Sequence, residues 1–468
     1  MKYLYLLLFP AVIAFAACNQ VSEKTPKPNI IYIMADDMGY ADAGCYGSTR
    51  ISTPNLDRLA SEGILFTDHY AGTSVCAPSR CVLMTGMHTG HAVVRGNKEA
   101  DPYGQFAIPD ETVTVAELLK DAGYATGLFG KWGLGVENTP GDPQNQGFEE
   151  FYGYYGQVHA HNSFPEYLYH NREKVYLRNE VTYMPKDHWT RGLGSYATKK
   201  VDYSNDLIQE KAMDFINQHR DEPFFLYLSV TMPHENGEAP EGEKFEVPDL
   251  AIYADSSWSL DDKRYASMIS RLDGYVGVIL EQLVNLGIDK NTLLLFTSDN
   301  GGFRYSDLHH NGKLRGIKRD LYEGGIRVPL LAVWPDHISP GTVTGHVSAF
   351  WDFLPTACDV AGIDPPEGID GISYYSILTG GDQDNHEYMY WEFHEQGKKQ
   401  AVRMGKWKGV RLNVYEEPDG PVELYDLEAD LSETTDIAAE HPEVVEQIRK
   451  IMIEGRTVDP NWPLRSDE

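Results

Sequence analysis

Two pairs of oxygen donors and three cationic side chains stand where extended runs of this chain end. Asp36-Asp37 follow the apolar run 29–35, and Asp299-Asn300 follow the run 293–298. In a parallel sheet, ligands gather outside the carboxyl ends of the strands, so the two pairs could share one edge. Carboxylate and amide oxygens suit a hard cation such as calcium or magnesium and need no His or Cys beside them. Either pair alone would serve equally well to cap a turn or a helix. Lys131 follows the run 125–130, Arg80 lies just after Cys76, and Lys318 precedes Glu323-Gly324-Gly325. A fixed cluster of Arg and Lys is what a sulfate or phosphate ester needs, whereas a lone surface Lys is ordinarily a solvated charge. Pro78 suits the first turn of a helix, which puts Cys76 at or just before the positive end of that helix, where a thiol is expected to ionise more easily. By position alone, Cys76 is equally a small buried residue.

The elements that must position these groups follow from periodicity. Runs rich in β-branched and aromatic residues at 29–35, 125–130, 223–230, 293–298 and 330–334 read as strands, and amphipathic stretches at 55–62, 113–122, 203–219 and 260–286 read as helices between them. The fold class is therefore α/β, a large mixed and mostly parallel sheet flanked by helices. Residues 157–200, rich in Tyr, His and Asn without a clean period, read as a long loop-bearing insertion of the kind that lines substrate sites. After Gly380-Gly381-Asp382 the pattern changes to short strands at 388–393, 400–404, 407–412 and 423–427 and a helix near 442–455, a smaller C-terminal α+β domain. The expected division is 28–380 for the catalytic domain and 381–468 for the small one.

The chain has 468 residues, 42% hydrophobic, enough for a full core; 70 acidic against 40 basic side chains leave a net charge of -30. That charge opposes binding to nucleic acid or to an anionic membrane surface, so any anionic substrate must be held by a local basic cluster. Lys2 and the apolar stretch 3–17, too short for a bilayer span, read as an export signal. Its end, Phe15-Ala16-Ala17-Cys18, resembles a lipoprotein cleavage box with Cys18 as the lipidated residue. Residues 1–18 are thus read as signal and 19–27 as tether, and membrane attachment is expected only through the lipid of an exported periplasmic or cell-surface protein. Cys45, Cys76, Cys81 and Cys358 form no CxxC pair and imply no disulfide framework.

Cys76-Ala77-Pro78-Ser79-Arg80 followed by Leu83-Met84-Thr85-Gly86 resembles the signature of the formylglycine-dependent sulfatases of the alkaline phosphatase superfamily. Further landmarks stand in family order over almost the whole mature chain: Ala35-Asp36-Asp37, Thr53-Pro54-Asn55, Gly130-Lys131-Trp132, Pro233-His234, Ser298-Asp299-Asn300-Gly301-Gly302, Glu323-Gly324-Gly325 and Leu424-Tyr425-Asp426. The resemblance implies an alkaline phosphatase-like fold and an enzyme that hydrolyses sulfate esters. It implies that a maturation enzyme oxidises Cys76 to formylglycine, whose hydrated aldehyde attacks sulfur, and that Asp36, Asp37, Asp299 and Asn300, with residue 76, bind calcium, magnesium being the less favoured ion. It further implies that Arg80, Lys131 and Lys318 hold the diol and the sulfate, and that His234 protonates the leaving alcohol.

One landmark departs from the commoner pattern. Many relatives read Gly-Lys-Trp-His-Leu-Gly, and this chain has Gly133 where that His stands; His159 or His161 is the expected replacement. The substrate expected by analogy is a sulfated saccharide, such as a galactose or N-acetylgalactosamine sulfate, attacked at its end. Tyr167, Tyr169, His170 and Asn171 are candidates to contact a sugar, and His309, His310 and Asn311 to read it. A phosphonate or phosphodiester hydrolase with the same nucleophile is one alternative. A catalytically retired glycan-binding lipoprotein is another, which the intact Cys76, Arg80 and oxygen pairs argue against. Oligomeric state is not legible.

Overall fold

The computed structural model describes residues 27–98, 100, 105–185, 194–304 and 306–466; Cys18 and the signal and tether before residue 27 lie outside them. Five mutually parallel strands form the middle of a ten-stranded sheet. In spatial order they are Thr292–Ser298, Asn29–Ala35, Phe224–Ser229, Ala125–Lys131 and Glu150–Tyr154. Both faces are covered, which is why the first strand is apolar throughout. Ile30, Tyr32 and Met34 face one core, shared with Val82, Leu83 and Leu354, while Ile31, Ile33 and Ala35 face a second, shared with Leu56, Ile208 and Leu272. The period of two thus sends alternate residues of one strand into opposite layers.

The helices expected at 55–62, 203–219 and 260–286 are Pro54–Glu62, Ser204–Gln218 and Leu260–Leu286. Ser259 caps the last by accepting from the Asp262 amide, and Gly287 ends it in a left-handed conformation at φ 69°. Two expectations need correction. The strand Leu330–Val333 runs antiparallel to Thr292–Ser298, because only the short Glu323–Ile326 turn and no crossover helix returns the chain to the sheet. The insertion is less irregular than its composition suggests: Tyr167–His170 and Glu173–Tyr176 form a hairpin that extends the sheet, and Glu180–Tyr183 pairs with Ser195–Lys199. Asn171, at φ 54°, makes the first hairpin's tight turn.

Met389–Phe393, Lys399–Met404, Trp407–Arg411 and Glu423–Asp426 form a separate antiparallel sheet. One face carries the helix Pro442–Glu454 over Tyr390, Val402 and Leu424; the other, through Trp391, Phe393 and Ala401, packs into the main core. A buried ion pair crosses this junction. Lys408 Nζ lies 2.8 Å from Glu323, which also accepts from Tyr70 and Arg327. Burial works against the Glu323 charge, but Lys408, Arg327 and Arg403 overcome it and hold its carboxyl at about 2.

Removing one partner of such a pair leaves the other charged and dry. Lys408→Met is expected to lower unfolding stability by about 3–5 kcal/mol, read by chemical denaturation, with loss of catalytic activity secondary to that change.

Candidate active site

All five parallel strands deliver residues to one small volume at their carboxyl ends. Asp36 and Asp37 follow the central strand and are fully buried; Asp37 turns the chain at φ 69°. Asp299 and Asn300 arrive from the neighbouring strand, and Asp299 accepts from the Asp37 amide at 3.1 Å. Lys131 ends its strand and donates to Asp36 at 2.7 Å. The helix Cys76–Thr85 points its N-terminus into the same space, with Cys76 its first residue and Sγ 3.4 Å from Asp36. Four residues on, one turn deeper, Arg80 binds Asp299 at 2.9 Å, the Lys131 carbonyl at 2.7 Å and the Ser229 hydroxyl. Ser79 ties the helix down by donating to the Asp299 carbonyl at 2.6 Å.

Lys318 comes from a loop pinned on both sides of its side chain, by its own amide on the Gly302 carbonyl and by the Arg319 amide on the Ser74 carbonyl. Its ammonium donates to Asp37 at 2.8 Å and to His234 Nε2 at 3.0 Å. His234 Nδ1 faces the Glu235 carbonyl at 2.6 Å, so Nδ1 carries the proton and the ring is neutral. Burial, then Lys318, pushes the His234 pKa well below its ordinary value.

Charges at this density shift one another. Burial alone would raise Asp36, but Lys131, with Arg80 and Lys318, holds it well below the usual carboxylate range. Asp299 goes the other way, to about 7, through burial and the Asp36 charge. The helix terminus does not make Cys76 acidic, contrary to expectation: burial and then Asp36 push its thiol up to about 12. An unmodified Cys76 is therefore a poor nucleophile.

The donors fit a hard divalent cation. Ligand atoms of Asp36, Asp37, Cys76 and His234 lie within 4.8 Å of one another, and the buried Asn300 side-chain oxygen has no partner among the described residues. Such an orphan acceptor beside carboxylates is what an oxygen-liganded ion would satisfy. Lys131 and Lys318 hold two of the same carboxylates through their ammonium groups.

A pocket of about 170 Å³ opens over Cys76, walled by His161, His234 and Lys318, with Lys98 and Arg319 also lining it. His161 stacks on His234 at 4.8 Å between ring centroids and binds Glu238 at 3.0 Å. The other histidines read as substrate contacts go elsewhere. His159 packs against Tyr154, Tyr167 and Tyr169 and lines a separate pocket with Tyr167 and Tyr169, where burial and then Lys174 push its pKa down. His310 is buried between Asp42, at 2.8 Å, and Ser306, at 2.9 Å, while His309 is exposed at φ 56°; neither lines the pocket over Cys76. The Asn311 side chain accepts from the Gly302 amide, and the Asn171 side chain accepts from the Phe151 amide on the neighbouring strand.

The space beside Gly133 is filled by neither expected His. It is filled by Gln157, whose Nε2 lies 1.9 Å from where a Cβ on Gly133 would stand. Gln157 was absent from the sequence-derived site; its one signal was its place two residues before His159 in the insertion.

This geometry agrees with what known proteins show. The family model described as Sulfatase matches residues 28–363, and the one described as N-sulphoglucosamine sulphohydrolase, C-terminal, matches 317–457. The chain belongs to the sulfatase family and is a sulfuric ester hydrolase of alkaline phosphatase-like fold. It is similar to the N-acetylgalactosamine-6-O-sulfatase of Bacteroides thetaiotaomicron, 30% identical over 96% of this chain and 98% of that protein. It is also similar to human arylsulfatase A, 32% identical over 91% of this chain and 87% of that one. Among solved structures, Ps i-CgsB in complex with k-i-k-neocarrahexaose superposes with a TM-score of 0.76 at 28% identity, over 94% of this chain and 96% of that one. The family generally uses a formylglycine and a divalent metal.

If these oxygens hold a divalent ion, calcium should raise the melting temperature and chelation with EDTA should lower it, the shift growing with the logarithm of free calcium. Asp37→Asn should flatten that dependence; a melting curve of the unaltered protein insensitive to both additions would count against the site.

Proposed function

We propose that this chain removes sulfate from the end of a sulfated carbohydrate, with Cys76 converted to formylglycine and a calcium ion bound by Asp36, Asp37, Asp299, Asn300 and residue 76. The observation that carries the reading is the buried cluster in which Arg80, Lys131 and Lys318 converge with three carboxylates beneath a narrow pocket. The pocket's size supports a terminal saccharide, and Lys98 and Arg319 put positive charge beside it on a chain of net charge -30. The named activity of the Bacteroides relative and the oligosaccharide bound to Ps i-CgsB support a galactose or N-acetylgalactosamine sulfate.

Formylglycine supplies a hydrated aldehyde, a nucleophile that can shed sulfate by C–O cleavage, and the cation supplies Lewis acidity. The chain's own residues do the rest. Arg80, fixed by three acceptors, presents a rigid guanidinium to developing negative charge. His234, in the pocket wall beside Lys318, is the group that gives a proton to the leaving alcohol, an anionic sulfate favouring its protonated form. Export as a lipoprotein at Cys18 and a division of the mature chain at 380/381 belong to the same proposal; among the described residues, no helix is long and apolar enough to cross a membrane.

Protein made in a host that matures sulfatases should give a residue-76 peptide with the aldehyde mass and should hydrolyse aryl sulfate faster than the matched aryl phosphonate. Cys76→Ala should abolish turnover. The reverse preference would favour the phosphonate hydrolase, whose Agrobacterium radiobacter example shares the fold at TM-score 0.61 and 20% identity. An unmodified thiol throughout would favour the glycan binder.

A further inference from the structure

Gln157 is a buried amide with nothing to bind. Its side chain is 8% exposed, yet both Nε2 and Oε1 are without a hydrogen-bond partner among the described residues. Leaving both ends of a carboxamide unpaired out of water is costly. A group of that kind lining a pocket is placed to bind what enters the pocket.

The fold holds the amide in place by its backbone. Pairing continues past the end of the strand Ala125–Lys131, with the Trp132 and Gly133 amides donating to the Tyr154 and Tyr155 carbonyls. That ladder lays the 155–157 segment against Gly133, and the Gln157 backbone N–H donates to Gln105 Oε1 at 3.4 Å. Gly133 has φ 85° and no Cβ, and any Cβ there would collide with Gln157 Nε2. The same Cβ would lie 3.7 Å from Arg80 Cδ, and Arg80 Nε is likewise buried and unpaired. Gln157 lines the pocket over Cys76. The Gln157 carboxamide thus lines the same pocket as Cys76 with one orphan donor and one orphan acceptor.

We propose that Gln157 is a catalytic residue of the sulfatase reaction: Nε2 donates to an oxygen of the sulfate group, and Oε1 accepts from a hydroxyl, that of hydrated residue 76 or of the sugar. A sulfate offers acceptors only, so the carbonyl end needs a hydroxyl partner. The assignment rests on the sulfatase reading given above.

Stability and function should separate. In Gln157→Leu no hydrogen bond is lost from the free protein, so the melting temperature should be unchanged or higher, while kcat/KM on an aryl sulfate falls by on the order of 100-fold. Gln157→Glu, which keeps the shape but adds negative charge and loses the donor, should fall at least as far. A second readout needs no turnover: in calcium-loaded protein, inorganic sulfate should raise the melting temperature of the unaltered chain and raise that of Gln157→Leu much less. Retention of kcat/KM within about threefold, or an equal sulfate-induced shift, overturns the proposal. A melting temperature lowered by several degrees would make Gln157 structural and also overturn it. If formylglycine-bearing unaltered protein hydrolyses no sulfate ester, the sulfatase reading fails instead, and the sulfate-induced shift still decides the role of Gln157.

Discussion

Everything in this molecule answers to one electrostatic constraint: three carboxylates must stay close together out of water. Asp36, Asp37 and Asp299 are fully buried, and so, to within a few per cent, are Arg80, Lys131 and Lys318. Ions taken from water into a protein interior are tolerated only when partners and hydrogen bonds replace the lost solvent. Here each cation is bound to a carboxylate from a different strand or loop, so the charges also lock the strand ends together. The balance is incomplete at two places, Asp299, whose carboxyl is pushed upward by burial and by Asp36, and the Asn300 oxygen, unpaired among the described residues, and both belong to the expected ligand set.

That arrangement explains which parts of the site could be read from the chain. A parallel strand buried on both faces is a continuous apolar run, so its end is sharp in sequence, and whatever follows it stands at the ligand edge. Asp36, Asp37, Lys131, Asp299 and Asn300 were legible for that reason. The helix beginning at Cys76 was legible through Pro78. The direction of the strand at Leu330 was not, because direction depends on the length and shape of a connection rather than on the strand's own composition.

The insertion was misread for a different reason. Tyr and His serve sugar binding and core packing alike, and composition does not separate the two. His159, Tyr167 and Tyr169 pack on one another, while His310 is held by Asp42 and Tyr265, contacts that depend on tertiary approach. Gln157 shows the converse. A neutral amide carries no charge signature and no spacing rule, and its position became meaningful only when the backbone ladder from Gly133 put it over Cys76.

The Lys408–Glu323 bridge has a consequence in time rather than in space. The loop that carries Lys318 lies between Gly302 and Glu323, and its far anchor is completed only by a strand near the end of the chain. During synthesis at roughly 5–20 residues per second, tens of seconds separate the appearance of Cys76 from that of Lys408. Through that interval Glu323 lacks Lys408, and the loop that supplies Lys318 is not yet held at its far end. The order of the chain thus makes the last sheet the final tie on a loop whose other end is already fixed at Gly302.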